Sequence, residues 1–387
     1  MKMNPIPYGR QFISDKDIEA VVNVLKSDYL TQGPKIAEFE KDFAEYIGCK
    51  YAVAVANETA ALHLCTMALD VKKGDNVITT PITFAASANS VLYCGGEVDF
   101  VDIDNQTYTI DLNKLESKLS KSPKVTYSGV IPVDLAGYPV NMEELRYICD
   151  KYGLWIIDDA THAPGGYFID KNNNTQFCGN GNFAQLSVFS FHPVKHIATG
   201  EGGMITTNDK KLYDKLMLLR TYGITKSPDL LEENHGGWYY EMQELGYNYR
   251  LCDMQAALGI SQLKRVKENL EKRNLIAKKY NEAFSNLPIQ TPIVSQKIYH
   301  AYHLYIIKTN KRKELYDFLH KNNIFAQVHY IPIHLLPYYR KKFGWEKVDF
   351  IESENYYEQA LSLPMFPSLT EDQQNYVIDK VKEFYQQ

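Results

Sequence analysis

The sequence predicts an α/β protein with two parts: a large three-layer domain, in which a mainly parallel sheet is covered on both faces by helices, and a smaller C-terminal α/β domain. Three observations lead there. From about residue 15 to 250, short apolar runs alternate with stretches of helical periodicity, the pattern of parallel strands joined by crossover helices. At 387 residues the chain exceeds the usual size of a single hydrophobic core, so a second domain is expected. Residues 253–287 read as a long charged helix carrying the chain from one domain to the other, with 1–255 forming the large domain and 256–387 the small one.

The elements follow in order. Residues 51–64 begin as a β-like run, meet Asn57 as a cap residue, and continue as an apolar helix of good helix formers. Residues 77–81, 97–104 and 125–133 are further strand candidates. Residues 154–159 are a buried strand of four apolar residues ending in Asp158 and Asp159. The polar, turn-rich stretch 169–182 bends between strands at the surface. After the long helix, 303–307 and 326–330 read as strands, and 311–321 and 370–385 as helices. There are neither tandem repeats nor low-complexity segments.

The chemistry centres on Lys195. It follows the strand-like run 187–191 and precedes a glycine cluster, Gly200-Glu-Gly-Gly203. A lysine there is by ordinary preference a solvated surface charge. Asp159 changes that reading, because ligands of open α/β sheets bind at the carboxyl ends of strands, and a carboxylate buried there needs a cationic partner. Pyridoxal 5'-phosphate asks for this pair: a lysine on its aldehyde and an acid on its ring nitrogen. Asp159 is the pyridinium partner in this reading; Asp158 is structural or substrate-facing. The free N–H groups at the helix start after Asn57, with the Thr59 hydroxyl, make an anion site suited to the phosphate. Ser190 is a second candidate hydroxyl.

Asn57-Glu-Thr-Ala-Ala-Leu, Thr83-Phe84-Ala-Ala-Ser-Ala-Asn, Asp158-Asp-Ala-Thr-His162, Ser190-Phe-His-Pro-Val-Lys195, Thr199-Gly-Glu-Gly-Gly203 and the stretch from Gly246 to Gly259 occur in this order over nearly the whole chain. The set resembles the DegT/DnrJ/EryC1/StrS family, nucleotide-sugar aminotransferases of the fold-type I, aspartate-aminotransferase-like superfamily. Ile6-Pro-Tyr8-Gly-Arg10, Asp28-Tyr-Leu-Thr31 and Val328-His329-Tyr330-Ile-Pro332-Ile-His334 are similar to the family's pseudaminic-acid-type branch.

The resemblance implies that Lys195 anchors pyridoxal phosphate and that Asp159 meets its ring nitrogen. Phe84 would stack on the ring and His162 would approach its 3′-oxygen. Asn57, Glu58, Thr59 and Ser190 would hold the phosphate, with Asn248 reaching it from a neighbouring subunit of a homodimer with composite sites. Tyr8, Asp28, Tyr29, Leu30, Thr31, His329, Tyr330, Pro332 and His334 would line the nucleotide-sugar side. The implied substrates are L-glutamate and a UDP-linked 4-keto-6-deoxy-N-acetylhexosamine, aminated at C4; a GDP- or dTDP-linked keto sugar aminated at C3 or C4, or a non-catalytic, regulatory cofactor-binding member, is the alternative. Arg250 meets a carboxylate or stabilises its loop. One departure is Glu58, where the family often has a small residue. A carboxylate beside a phosphate is unfavourable unless it points away, which leaves only its backbone N–H useful.

Several classes are excluded. With 42 basic and 47 acidic residues the net charge is −5, which leaves no basic footprint for nucleic acid. No GxGxxG follows the first strand, against a nicotinamide oxidoreductase. The six cysteines show no metal-ligand spacing, so no metal is expected, and a reducing cytoplasm fits them. The opening residues, Met1 to Pro7, have neither an apolar signal core nor a transit pattern, and no run suits a membrane span.

Overall fold

The computed structural model describes residues 4–123 and 125–386, so residues 1–3 of the opening segment lie outside the described residues. A seven-stranded sheet is built from β1 (Tyr51–Val55), β2 (Asn76–Thr79), β3 (Glu97–Phe100), β4 (Gly129–Val130), β5 (Trp155–Asp159), β6 (Leu186–Ser190) and β7 (Gly203–Thr207). Their spatial order is β1-β7-β6-β5-β4-β2-β3. The pairings from β6 through β5, β4 and β2 to β3 are parallel, and β7 runs antiparallel to both its neighbours. Every residue of β6 and β7 is buried. That is the condition of strands covered on both faces; 187–191 read as a strand for this reason, whereas 203–207 was not among the strands expected.

The strand expected over 97–104 ends at Phe100, with Ile103 only bridging Ile110, and other boundaries also differ from expectation. The strand expected over 125–133 is confined to Gly129–Val130, because Thr126 is turned back onto the Pro123 carbonyl and Pro132 has no N–H for a ladder. The chain stays extended as far as Val133, which bridges Asp159. The helical pattern of 253–287 is two helices, broken at residues 264–265. The polar stretch 169–182 forms, as expected, a turn between two short strands, Tyr167–Ile169 and Thr175–Phe177.

Four helices matter for the cavity: α1 (Glu58–Ala68), α2 (Ala85–Tyr93), α3 (Asp253–Leu263) and α4 (Val266–Phe284). Helix α1 follows β1 with Asn57 as N-cap, its Oδ1 accepting from the Ala60 amide at 2.8 Å. Gly203 fixes how closely β7 passes that helix start. A Cβ there would stand 2.7 Å from the Asn57 carbonyl carbon and 2.9 Å from the Glu58 nitrogen. Both neighbours are backbone, so Gly203→Ala is expected to cost about 1–3 kcal/mol of stability through overpacking. A thermal melt of the variant that coincides with the parent would show that the approach is not tight.

The C-terminal part has its own core. Tyr280 and Phe284 of α4 pack with Tyr305, Ile307, Leu361, Leu363, Val377 and Val381. Strand Tyr305–Lys308 pairs antiparallel with Ala360–Leu363, and helices Arg312–Lys321 and Glu371–Gln386 cover them. Ile6 belongs to the same core, and Ile6–Pro7 pairs in parallel with Ile324–Phe325. The N-terminal segment is thus sewn to the C-terminal part. The strand expected over 326–330 is absent apart from a bridge from Gln327 to Ser362, and the chain instead turns His329 and Tyr330 towards the large domain.

Candidate active site

A cavity of about 680 Å³ opens at the carboxyl ends of the parallel strands, where an open α/β sheet binds its ligands. Its wall includes Tyr8, Asn57, Glu58, Thr59, Phe84, Asp159, His162, Ser190, Lys195, His329 and Tyr330. These residues come from the two ends of the chain and from four separate strand ends between them. Only the folded topology brings them together.

Lys195 sits on a turn beyond β6, its amide donating to the His192 carbonyl at 2.9 Å. It is the one Lys or Arg on the cavity wall among the described residues. Burial pushes its ammonium down to about 8, against the opposing pull of Glu58 and Asp159. An amine so placed reaches its neutral, nucleophilic form far more readily than a surface lysine.

Asp159 ends β5 and is 4% exposed. Its Oδ2 accepts from the Ser87 hydroxyl at 2.8 Å, and its Oδ1 from the Thr161 amide at 3.4 Å. Ser87 stands on α2 and is bonded in turn to Thr83 at 2.7 Å. Asp158 faces the other side of the sheet, as strand alternation demands. It is 1% exposed, one carboxyl oxygen has no hydrogen-bond partner, and burial followed by the Asp134 and Asp159 charges pushes it well above the usual carboxylate range. Of the two roles open to it, structural and substrate-facing, its placement agrees only with the first.

His162 is buried, and its Nδ1 accepts from the Ala136 amide at 3.2 Å. Burial first, then Lys195, His329 and His196, push it well below its usual range, so the ring is neutral and its proton lies on Nε2. That N–H faces Tyr330, whose hydroxyl oxygen is 3.4 Å away. Phe84, the residue before α2, is 61% exposed and lines the cavity, its ring 6.1 Å from that of Tyr330. An aromatic face bared inside a cavity is a stacking platform. Tyr8 closes the same end, 4.8 Å from the ring of His329.

Glu58 departs from what its sequence position suggested. Its side chain lines the cavity instead of turning away, and burial together with the Asp159 charge raises it far above the usual range, with Lys195 pulling the other way. The proximity of the lysine amine is what makes a carboxyl tenable there.

Other expected residues lie outside the cavity. Asn248 is exposed and bridges Thr221. Asp28 to Thr31 are at the surface, with Tyr29 56% and Leu30 47% exposed. Pro332 is buried beside the site, and His334 is committed to Glu354 at 3.1 Å. Arg250 bridges Val55 and stacks on Tyr222 at 5.4 Å, the loop-stabilising alternative. Conversely, His63, Glu201, Tyr249 and His303 line the cavity and were not anticipated. Tyr249 lies within the stretch 246–259 and Glu201 within the glycine cluster 199–203, so both stood in motifs that carried no role for them; His63 and His303 carry no sequence signal, because their segments read as ordinary helix and strand.

The residues present suit pyridoxal phosphate. A single lysine, a strand-end acid with few hydrogen-bond donors, a bared aromatic face and a helix start with free amides surround one space of sufficient volume. No cluster of His, Cys, Asp or Glu suited to a metal ion occurs among the described residues. All six cysteines are free, and no described helix is long and apolar enough to cross a membrane.

The fold is that of the aminotransferase class. The chain belongs to the DegT/DnrJ/EryC1/StrS aminotransferase family, whose profile matches residues 11–382. It is 38% identical over 393 residues to the UDP-4-amino-4,6-dideoxy-N-acetyl-beta-L-altrosamine transaminase of Campylobacter jejuni strain 81-176, covering 98% of this chain and 99% of that one. The structure of Helicobacter pylori PseC, an aminotransferase involved in the biosynthesis of pseudoaminic acid, superposes with a TM-score of 0.88 at 31% identity, covering 99% and 100% of the two chains. The PLP form of the putative sugar aminotransferase Spr1654 from Streptococcus pneumoniae gives 0.89 at 27% identity, covering 99% of each chain. The protein is a sugar aminotransferase.

Proposed function

We propose that this enzyme uses pyridoxal 5'-phosphate, held by Lys195, to move the amino group of L-glutamate to C4 of a UDP-linked 4-keto-6-deoxy-N-acetylhexosamine. The observation that carries the reading is the buried Lys195 amine, pushed down to about 8 and facing Asp159 across one cavity. The full-length likeness to the Campylobacter transaminase supports the sugar.

When bound, the cofactor supplies an electron sink and a carbon that exchanges amines. The protein's share is positional and protonic. Lys195 Nζ anchors the cofactor, and as a free amine takes the donor's α-proton and returns it elsewhere. Asp159 would keep a proton on the ring nitrogen, Phe84 would cover one face, and the His162 Nε2–H would serve the ring oxygen. Amides after Asn57, with the Thr59 and Ser190 hydroxyls, hold the phosphate. Tyr8, His329 and Tyr330 bound the sugar side.

The working unit in this reading is a homodimer. No arginine lines the cavity among the described residues, so the carboxylates of the donor need cations from elsewhere. Asn248 stands exposed on the same stretch as Met242 and Leu245, 63% and 74% exposed, an apolar surface suited to cover by a second copy. Asp28 to Thr31, likewise not on the wall of their own cavity, would then serve the neighbour's.

The test is the absorbance of the purified protein before and after L-glutamate, and then with UDP-, dTDP- and GDP-linked keto sugars. A cofactor band bleached by glutamate and restored by the UDP sugar is expected. Restoration by another nucleotide sugar alone would overturn the substrate, and no band even after added pyridoxal phosphate would overturn the role of Lys195.

A further inference from the structure

Residues 300–304 form a junction under the cavity. The Ala301 amide donates to the Gly137 carbonyl at 2.8 Å and the Leu304 amide to that of Ala136 at 3.2 Å; the Ala136 amide in turn holds His162 Nδ1. His196, next to Lys195, bonds the Ala301 carbonyl through Nε2 at 2.8 Å. The backbone beside Lys195 and the backbone that orients His162 are thus registered on one short segment, which also places His303 in the cavity wall.

From the opposite side this segment is gripped by Arg273 of α4, 1% exposed. Its Nη1 donates to the carbonyls of Tyr302 at 3.0 Å, His303 at 3.3 Å and Met365 at 3.0 Å. The Met365 amide donates to the Tyr8 carbonyl at 2.8 Å, so the same guanidinium governs a second stretch of wall. Asn274 adds a bond from Nδ2 to the His300 carbonyl at 3.2 Å. Among the described residues no carboxylate pairs with Arg273, and burial pushes it down to about 9. A buried cation without an anion is costly. Three carbonyls from two segments converge on it in return.

We infer that Arg273 is a positioning residue: by drawing the 302–303 and 365 carbonyls into one corner, it sets where His303 and Tyr8 stand relative to Lys195 and His162. The placement rests on geometry alone; its consequence for turnover rests on the aminotransferase reading. Its charge also reaches the histidines. His303 is pushed down by burial, then by His162, Lys195, His196 and Arg273. His196 is pushed down by burial, then by Arg273, with Lys195 and His300 acting alike and the Ala301 carbonyl pulling back.

The experiment compares Arg273→Met and Arg273→Lys in the full chain. In the cofactor-free protein, hydrogen exchange of the 300–304 amides is expected to accelerate at least about tenfold in Arg273→Met, with β6 and β7 unchanged. In the holoenzyme, kcat is expected to fall about tenfold or more while both KM values hold within about threefold, because misplacement of reacting groups is felt mainly in the chemical step. The acid limb of the kcat profile should move to higher pH in Arg273→Met and stay put in Arg273→Lys, which keeps the charge. If Arg273→Met does not fold, Asn274→Ala is expected to loosen the same amides to a smaller degree. Exchange unchanged at 300–304, or raised equally throughout the chain, overturns the inference. Local acceleration in a protein that transfers no amine would instead sink the functional reading and leave the clamp standing.

Discussion

Lys195→Ala is expected to abolish amine transfer, by at least about a thousandfold, while leaving the fold intact. The loss has two parts, since one Nζ both anchors the cofactor and carries the proton, and positioned acid–base catalysis alone contributes about 10²–10⁴. The fold should tolerate the change because the lysine is a liability to stability. Its pKa is lowered on folding, so the folded state disfavours the ammonium; the cost is in full force below about 8 and fades as pH rises from there towards the unfolded value of 10.5. Removing the amine at neutral pH therefore removes a penalty. Glu58 loses its counter-charge, but its raised pKa lets it take a proton instead of remaining a buried anion. The cofactor-free variant is expected to melt at or above the parent temperature at pH 7. Residual turnover near that of the parent would refute the central assignment, and a melt lowered by many degrees would show that Lys195 holds the cavity together.

That Lys195 and Asp159 would share one cavity wall was legible in the sequence, for a reason that follows from the chemistry proposed for them. A lysine that must be buried and a carboxylate that must face a cation can stand at few places in an alternating α/β chain, and strand ends followed by small residues are such places. Asn57 was legible for a similar reason, since an N-cap obeys local rules and its bond to Ala60 is only three residues away. Arg273 and His303 were not. The contacts that give Arg273 its role reach residues 302, 303 and 365, and hydrophobic periodicity carries no information about such distant carbonyls. His334 shows the converse failure: it lies in a suggestive motif, yet Glu354, from a separate helix, claims its ring. Helical periodicity ran across residues 264–265 because the two helices bury adjoining apolar faces, so only the backbone reveals the break. Asp28 to Thr31 and Asn248 do not line the cavity of their own chain, and their part in a site rests on the proposed homodimer, which the family resemblance suggested and their own local pattern did not.

Asp159→Asn is expected to keep the cofactor and lose about 10²–10⁴ in turnover, because proton transfer at the substrate carbon draws on the positive charge that Asp159 holds on the ring nitrogen. The local network can accept the amide. Ser87 now donates to Asp159 Oδ2, and with Thr83 beside it at 2.7 Å the hydroxyl can turn to donate there and accept from the new NH₂ group. The Thr161 amide keeps an oxygen acceptor. Electrostatically the change is a relief as well. The Asp159 charge is among the causes that raise Glu58, Asp134 and Asp158, so its removal should let the first of these ionise at lower pH. The variant should therefore melt within a few degrees of the parent, bind pyridoxal phosphate in equal stoichiometry, and show a shifted absorbance band with slow bleaching by L-glutamate. Single-turnover kinetics separate the alternatives. A slowed α-proton step with an intact spectrum of bound cofactor fits the role of holding the ring proton, whereas parental rates with a parental band would mean that Asp159 only braces α2 through Ser87.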